Sequence, residues 1–519
     1  MYPPQFAELY VISDIHMGGR KDGDRNFQIF NRGPRLAELI RSIQGQRQNE
    51  DIALVLNGDI IDSLAEDEVP GFVALDAQTA IRMMERLYDD SSFSPVWEAL
   101  AAFVKKLKRH LVFVIGNHDI ELSLPIVEDS IRRRLAEGNP DAQTRISFAT
   151  HGGGFACRVG ATRVFCTHGN ELDPVNRVDY NLLGQLANAI NAGRAVDPAR
   201  WKPNAGTRLV VNIMNDIKLQ FPFVDLLKPE VAAVVSVLVA LDRDVLKKID
   251  IQEDFPIVRD AIRGALVTRK LLGVDATNLA SAPPEALAEE VVARLLGASF
   301  GAAVRSARGS GQTEDALLLE AGKALVQGKR ASEVLGTEGA PETLGAWDLV
   351  RGWVGLVGKL EGLRLALKDW IKDSTTYKVD TGDTLFEAMA ERVGDGIGFV
   401  VTGHTHLARA LQLRPGSYYY NCGTWIRLLR LTDDLLADNE AFEQRLWPTL
   451  MAGKMSALDA AQIPGPDGKL MPLVFDRTNV VRISANGNRV TGELLRVSDG
   501  TNGEAVLLPE PDTQPFTVG

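Results

Sequence analysis

Histidine placement is the feature that most narrows what this chain can fold into. The sequence holds seven histidines in 519 residues, and five of them lie in short polar clusters that directly follow apolar runs. The clusters are, in chain order, Asp14-Ile15-His16, Gly58-Asp59-Ile60-Ile61-Asp62, Gly116-Asn117-His118-Asp119, His168-Gly169 and Gly403-His404-Thr405-His406. An apolar run that ends in polar residues is typical of a strand whose carboxyl end meets a ligand. The five clusters therefore predict one shared site.

Strand and helix patterns alternate over the first 170 residues, which is typical of an α/β layer fold. Strands are predicted at 9–13, 52–57 and 111–115, followed by a meander of strands at 146–150, 155–159 and 163–167. Strand patterns return at 398–402, 408–414, 418–421, 480–484 and 490–497. We therefore expect a discontinuous catalytic domain made of residues 1–173 and 396–498.

The intervening residues 174–395 differ in character, because Ala, Leu, Glu and Lys dominate and helical spacing prevails. Pro229 and Glu230 predict a helix start, residues 329–340 predict a loop, and residues 353–371 predict a helix with one broad apolar face. We expect a mainly helical insertion that either covers the site as a lid or only packs its apolar stripes against one another. The final residues, 499–519, predict an irregular tail.

The overall composition favours an ordinary globular protein and restricts its partners. A formal net charge of −11 disfavours binding of long nucleic acid, which depends on many Lys and Arg contacts to phosphate. The three cysteines, Cys157, Cys166 and Cys422, are too few for a disulfide framework, which favours a reducing compartment. The first residues lack a signal-peptide pattern, and the apolar stretch 231–241 is shorter than the ~20 residues that span a bilayer. We expect cytoplasmic residence.

Each polar cluster has a purely structural explanation when it is taken alone. Asn and Asp after a strand can cap a helix, a lone Gly-Asp is commonly a turn, and two nearby histidines can simply pack together. Five clusters in order, which together supply Asp, Asn and His after apolar runs, are poorly explained by chance. The combined pattern predicts a site for two metal ions.

The ordered pattern D-x-H, G-D-x-x-D, G-N-H-D, H and G-H-x-H resembles the calcineurin-like metallophosphoesterases over residues 1–173 and 397–497. The resemblance implies a four-layer α/β/β/α sandwich, here with a large helical insertion, and a dinuclear metal site at the sheet edges. It assigns one metal to Asp14, His16, Asp59 and His406, and the other to Asp59, Asn117, His168 and His404. The activity that it implies is hydrolysis of a phosphoester or phosphoanhydride.

The residue types suit two divalent cations roughly 3.5–4 Å apart, which repel each other and need a bridging carboxylate. Asp59 is the candidate for that bridge. Neutral imidazoles and the Asn117 amide add lone pairs without further negative charge, so a net positive site remains for phosphate. A hydroxide that bridges the two ions would attack phosphorus in line. Manganese, iron, zinc and magnesium all suit such a site, and manganese is favoured.

His118 belongs to the third cluster but is not assigned as a metal ligand. The resemblance places it near the leaving-group oxygen, where a protonated imidazole can donate a proton. Asp62 would then accept a hydrogen bond from the other ring nitrogen, although it could instead cap the following helix. We predict that His118 is the catalytic acid and that Asp62 orients it.

Other residues near these clusters have simpler explanations. His110 follows a run of Lys and Arg and is expected at a solvated helix end, while His151 precedes three glycines and is expected in a turn. Arg20 and Lys21 follow the first cluster and could contact substrate phosphate, but exposure to solvent is favoured. The three cysteines are expected in the core.

The sequence leaves the substrate open. Residues 168–173, His-Gly-Asn-Glu-Leu-Asp, resemble the H-G-D-x-x-D/C segment of the UDP-2,3-diacylglucosamine pyrophosphohydrolases, but Asn170 and His118 depart from that pattern. The pattern also fits a nuclease with the same metal chemistry or a non-catalytic interaction module on the same fold. We expect a phosphorylated small molecule or a nucleotide-linked compound as substrate. Peripheral membrane contact through residues 353–371 is an option, and nothing in the sequence indicates an oligomeric state.

Overall fold

The computed structural model describes residues 3–22, 25–26, 28–66, 69, 72–228, 233–245, 297–308, 354–371, 377–465 and 468–519. The chain divides into two compact units. The first comprises Met1–Pro203, Ser374–Leu428 and Val474–Gly519, and the second comprises Asn204–Asp373 and Leu429–Leu473. The first unit thus includes 174–203 and 374–395, which the sequence pattern assigns to the helical insertion. The second includes 429–473, which the pattern assigns to the catalytic domain.

The described residues form strands and helices with the following bounds. The strands are β1 Gln5–Phe6, β2 Glu8–Ile12, β3 Lys21–Asp22, β4 Arg25–Asn26, β5 Ile52–Asn57, β6 Arg109–Val114, β7 Ile146–Ala149, β8 Phe155–Val159, β9 Thr162–Cys166, β10 Phe399–Thr402, β11 Ala408–Arg414, β12 Ser417–Cys422, β13 Arg427–Leu429, β14 Gln462–Pro464, β15 Leu470–Pro472, β16 Val474–Asp476, β17 Asn479–Asn486, β18 Arg489–Asp499, β19 Ala505–Pro509 and β20 Phe516–Val518. The helices are α1 Gly33–Gly45, α2 Ala77–Asp89, α3 Ser94–Lys105, α4 Pro125–Ala136, α5 Pro140–Thr144, α6 Tyr180–Asn191, α7 Ala205–Leu209, α8 Asn215–Lys218, α9 Ala233–Leu241, α10 Ala298–Arg308, α11 Lys359–Ile371, α12 Thr384–Arg392, α13 Asn439–Arg445, α14 Trp447–Met451 and α15 Met455–Ala460. Every strand predicted from the sequence is present, with ends that differ by at most two residues.

Two sheets form the centre of the first unit. The larger sheet has the order β19-β18-β17-β2-β5-β6-β7, with β20 also paired to β18, and the smaller sheet has the order β1-β8-β9-β10-β12-β11. Strands β2, β5, β6 and β7 run parallel to one another, as do β9, β10 and β12. Parallel neighbours bring their carboxyl ends to one edge of a sheet. The polar clusters that follow β2, β5, β6, β9 and β10 are therefore carried to sheet edges.

Alternate residues of β2 face two different cores, which explains why residues 9–12 of this strand are all apolar. Leu9 and Val11 pack with Val401 and other residues of the smaller sheet, so this core lies between the two sheets. Tyr10 points to the opposite face and belongs to a core shared with helices α1 to α4. A strand that is covered on both faces is expected to lack polar alternation.

A further helix covers the outer face of the smaller sheet. Leu385 and Met389 of α12 pack against Val400 of β10 and Tyr419 of β12. Together with α1 to α4 on the other side, this helix makes the first unit a four-layer α/β/β/α sandwich, as the sequence predicts.

Residues 499–519 are not the irregular tail that the composition predicts. They form β19 and β20, which both pair with β18. Leu507 packs against the core beneath the helices, and the ring of Phe516 stacks on Tyr418 with centroids 4.5 Å apart. The prediction is wrong because these strands are very short and lie between Gly, Pro and Asp residues. Their stability comes from burial against neighbours and not from a local pattern.

Helix α11 lies in the second unit and carries the predicted apolar face. Leu363, Leu367 and Trp370 are buried, and the helix contacts α9, α10 and α13. It begins at Lys359, whereas the sequence predicts a start at 353. Residues 354–356 are helical as well, and the break before Lys359 lies at 357–358, where Gly358 disfavours a helix.

Some predicted features lie outside the described residues, namely the helix start at Pro229 and Glu230, the loop at 329–340, and Trp353. Within the described ranges, no helix has both the length and the apolar character needed to cross a bilayer.

Candidate metal centre

The predicted metal ligands lie directly beyond the carboxyl ends of five strands. Asp14 and His16 follow β2, Asp59 follows β5, Asn117 follows β6, His168 follows β9, and His404 and His406 follow β10. Three of these strands are neighbours in the larger sheet and two are neighbours in the smaller sheet. The topology therefore gathers residues from both halves of the chain at one place.

Among the described residues, two groups of side chains that share no member have ligand atoms close enough to hold a cation. The ligand atoms of each group lie within 4.8 Å of one another, and the groups are Asp14, His16 and His406, and Asp59, His168 and His404. A third group of the same kind, His16, Asp59 and His118, joins the first two. Asn117 adjoins them, because the amide of its neighbour His118 donates to Oδ1 of Asp59 at 2.9 Å.

Several buried polar atoms at the site have no hydrogen-bond partner among the described residues. They are both ring nitrogens of His16 and Oδ1 of Asn117. Each unsatisfied buried atom costs about 1–3 kcal/mol, so such a cluster needs a ligand that accepts lone pairs. Imidazole nitrogen and amide oxygen are both ordinary ligands of divalent cations. The residues present therefore fit metal ions.

Five of the predicted ligands adopt left-handed backbone conformations, which residues with side chains rarely occupy. The φ angles are 54° at Asp14, 52° at His16, 52° at Asp59, 71° at His404 and 59° at His406. Each costs roughly 1–3 kcal/mol, and such strain is concentrated at functional sites. Local hydrogen bonds hold it in place: the amides of Ile15 and His16 both donate to the Asp59 carbonyl at 2.9 Å.

Neighbouring acceptors select the ring nitrogen that two of the histidines present to the site. His168 donates from Nδ1 to the Asn57 carbonyl at 2.9 Å. His406 donates from Nδ1 to the Thr424 hydroxyl at 3.1 Å, and that hydroxyl donates to the Asp14 carbonyl at 3.0 Å. Such contacts fix the tautomer and orientation of metal-ligating histidines and leave Nε2 as the ligand atom. The sequence pattern indicates neither Asn57 nor Thr424, because a backbone carbonyl has no residue signature and Thr424 lies beyond the last cluster.

His404 has a carboxylate partner. Its Nε2 lies 2.9 Å from Oδ2 of Asp173. Burial alone would raise the pKa of Asp173, but the hydrogen bond and charge of His404 lower it to about 2. In the sequence Asp173 is visible only as the end of the segment 168–173, and no role is assigned to it there.

His118 and Asp62 lie side by side. Nδ1 of His118 is 3.0 Å from Oδ1 of Asp62, and both side chains are only 11% exposed. Burial would raise the pKa of Asp62, but the nearby charge of His118 holds it well below its usual range. A helix-capping role finds no support, because Asp62 precedes the 3-10 helix Ser63–Ala65 without a side-chain capping bond. The geometry thus brings together the two residues predicted as acid and orienter.

Residues 8–221 match the family model described as calcineurin-like phosphoesterase. This match places residues 8–221 in the metallophosphoesterase superfamily. The matched residues include the ligands up to His168, whereas His404 and His406 lie beyond them and are joined to the site by the fold. No curated protein matches the chain.

The charges of the candidate metal ligands influence one another strongly. Burial raises the pKa of Asp14. Burial would do the same at Asp59, but the charge of His168 outweighs it and holds the pKa of Asp59 well below its usual range. Conversely, burial would lower the pKa of His168, but the Asp59 carboxylate raises it to about 10. Asp59 and His168 therefore each favour the charged form of the other.

Asp119, the last residue of the third cluster, binds backbone amides next to the candidate metal ligands. Its carboxylate accepts hydrogen bonds from the Gly116 amide at 2.6 Å and from the Ile60 amide at 2.7 Å. Burial raises the pKa of Asp119 to about 7, and the charge of Asp59 adds to the effect. The Asp119 carboxylate thereby links the second cluster to the third through hydrogen bonds. The sequence pattern gives no indication of this role.

Gly116 allows the chain to pass closely behind Asp59. A methyl group at this position would overlap the Asp59 carboxylate and its backbone nitrogen. Gly116→Ala is therefore expected to reduce the free energy of unfolding by about 1–3 kcal/mol, since Asp59 must shift. Gly184→Ala is the matched control, because it fills open space on an exposed face of α6 and should stabilise by about 0.5–1 kcal/mol. Urea denaturation measures both, and equal unfolding midpoints would contradict the prediction.

The remaining polar residues named from the sequence lie outside the two ligand groups. His110 is in β6 and not at a helix end, and its Nε2 lies 2.8 Å from Asp51. This prediction is wrong because the preceding Arg109 is buried against backbone carbonyls, which starts the strand there. His151 lies in an exposed bend, and Arg20 and Lys21 are exposed. All three cysteines are buried, as expected.

Proposed function

We propose that this phosphoesterase hydrolyses a phosphoester or phosphoanhydride bond with two divalent cations, of which manganese is favoured. The observation that carries the proposal is the position of Asp59 between the two ligand groups. Its Oδ2 lies 3.8 Å from Nε2 of His16 and 3.1 Å from Nε2 of His168. One carboxylate that reaches both groups is what two closely spaced cations need to offset their repulsion.

The residues around Asp59 suit this chemistry. When bound, the cations supply Lewis acidity, an activated water and stabilisation of charge on the phosphoryl oxygens. Asp14 and His406 complete the first site, and Asn117 and His404 complete the second. His118 has Nδ1 engaged by Asp62, so Nε2 is the nitrogen that meets the leaving-group oxygen.

The substrate class follows from charge and site composition. A phosphorylated small molecule or a nucleotide-linked compound suits a net charge of −11 better than long nucleic acid does. The full ligand set argues against a non-catalytic interaction module. No feature of the described residues favours the UDP-2,3-diacylglucosamine pyrophosphohydrolase reaction in particular. Cytoplasmic residence is part of the proposal.

A hydrolysis panel tests the proposal. The full chain is stripped with a chelator, reloaded with Mn²⁺, Fe²⁺, Zn²⁺ or Mg²⁺, and assayed on an aryl phosphate monoester, a phosphodiester and a nucleotide-linked diphosphate. We expect turnover of at least one class that is lost on stripping and restored by Mn²⁺. Absence of turnover with every cation and every class would overturn the proposed function.

Metal binding is expected to release protons and to tighten as pH rises. The pKa of His168 is raised to about 10, so below that pH the ring carries a proton that coordination must displace. Proton and cation compete, and the affinity should therefore rise by up to about tenfold per pH unit between neutrality and pH 10. Calorimetric titration with Mn²⁺ in two buffers of different ionisation enthalpy measures the protons released. Heats that do not depend on the buffer would contradict this prediction.

A further inference from the structure

His404 differs from His168 and His406, the other two predicted ligands with an oriented ring, in what holds that ring. His168 and His406 donate to neutral acceptors, a carbonyl and a hydroxyl. Nε2 of His404 instead lies 2.9 Å from a carboxylate oxygen of Asp173. An ionised carboxylate can only accept hydrogen bonds, so the hydrogen of the neutral ring lies on Nε2. Nδ1 is then the nitrogen with a lone pair.

Asp173 is itself held in position by its own segment. The amide of Val175 donates to its Oδ1 at 2.8 Å, and Nδ2 of Asn176 donates to its Oδ2 at 2.8 Å. The backbone amide of Asp173 donates to the Asn170 carbonyl at 3.2 Å. The carboxylate is thus fixed by a tight turn independently of His404.

We propose that Asp173 is a positioning residue for one of the two cations: it commits His404 to coordination through Nδ1 in the group with Asp59 and His168. The inference rests on the proposed function, because it concerns how one of the two sites is built. A carboxylate behind a ligating imidazole fixes its tautomer and raises its basicity, and its loss commonly weakens metal binding about 10–100-fold. In the described part of the chain, the hydrogen bonds of Asp173 reach His404 and no member of the Asp14 group. The effect should therefore fall on one cation only.

Mn²⁺ titration of the metal-free full chain tests this without an activity assay. Free Mn²⁺ is counted by electron paramagnetic resonance, and the wild type is expected to show two sites. Asp173→Ala should weaken one site about 10–100-fold and leave the other within about twofold. Asp179→Ala is the matched control, since this exposed acid caps α6 a few residues along and contacts no ligand, and it should leave both sites unchanged.

A double-mutant cycle separates positioning from general damage to the fold. His404→Ala should weaken the same site, and adding Asp173→Ala to it should have no further effect, since the carboxylate then has no ring to hold. Asp173→Asn keeps the side-chain size and guards against simple misfolding, and it should weaken the same site by less than the alanine variant.

The outcomes distinguish this inference from the function on which it rests. Two-site binding with unchanged affinities in Asp173→Ala, equal weakening of both sites, or a further loss in the His404→Ala background would each overturn the role of Asp173 alone. A wild-type chain that binds no Mn²⁺ and hydrolyses nothing would overturn the proposed function as well.

Discussion

Asp59→Asn is expected to lower the rate of phosphoester hydrolysis by at least about 10³-fold. The substitution keeps the shape of the side chain but removes the negative charge that sits between His16 and His168. Two cations then repel each other without a bridging anion, and several kcal/mol of charge stabilisation are lost. A loss of about 4 kcal/mol corresponds to the stated factor.

Metal content and rate should fall together in this variant. Elemental analysis of the purified chain is expected to show two cations in the wild type and fewer in Asp59→Asn. Asp76→Asn is the matched control, because Asp76 caps α2 through its carboxylate and asparagine caps equally well. A wild-type rate in Asp59→Asn, or an equal loss in Asp76→Asn, would remove Asp59 from the bridging role.

The sequence predicts where the candidate ligands lie, because each strand carries the residues that follow it to the edge of a sheet. Each of the five clusters follows a strand whose apolar run can be recognised in the sequence. Parallel neighbouring strands bring their carboxyl ends to the same edge of a sheet. His404 also follows a strand in this way, although the helical insertion separates it in sequence from the earlier candidate ligands. The fold class and the gathering of these candidate ligands depend on local patterns, which a single sequence displays.

The residues that orient the ligands are not predictable in this way. Asp173 and His404 are 231 positions apart, and their contact depends on where the turn after β9 meets the end of β10. Thr424 holds His406 only because β12 returns beside β10 and places its following turn there. Such contacts are set by the register between distant strands, and short motifs carry no information about it. The short strands at 505–509 and 516–518 are missed for the same reason.

His118→Gln is expected to lower the rate on substrates with poor leaving groups by about 10²–10⁴-fold, the usual contribution of a positioned acid. The contact at 3.0 Å with Asp62 favours Nδ1 as the donor to that carboxylate, so Nε2 is the nitrogen that would deliver a proton. On an activated aryl ester, whose leaving oxygen needs little protonation, the loss should be much smaller. Metal content should stay at the wild-type value, because neither predicted cation uses His118.

Comparing substrates with good and poor leaving groups shows whether His118 acts as a catalytic acid or as a metal ligand. If His118 instead holds a cation, an interpretation that its place in the group with His16 and Asp59 allows, both substrates should slow equally and metal content should drop. His110→Gln is the control, since this histidine pairs with Asp51 away from the ligand groups and should change neither quantity. Asp62→Asn should reproduce the leaving-group dependence in weaker form. Adding it to His118→Gln should cost nothing more, because the carboxylate acts only through the imidazole.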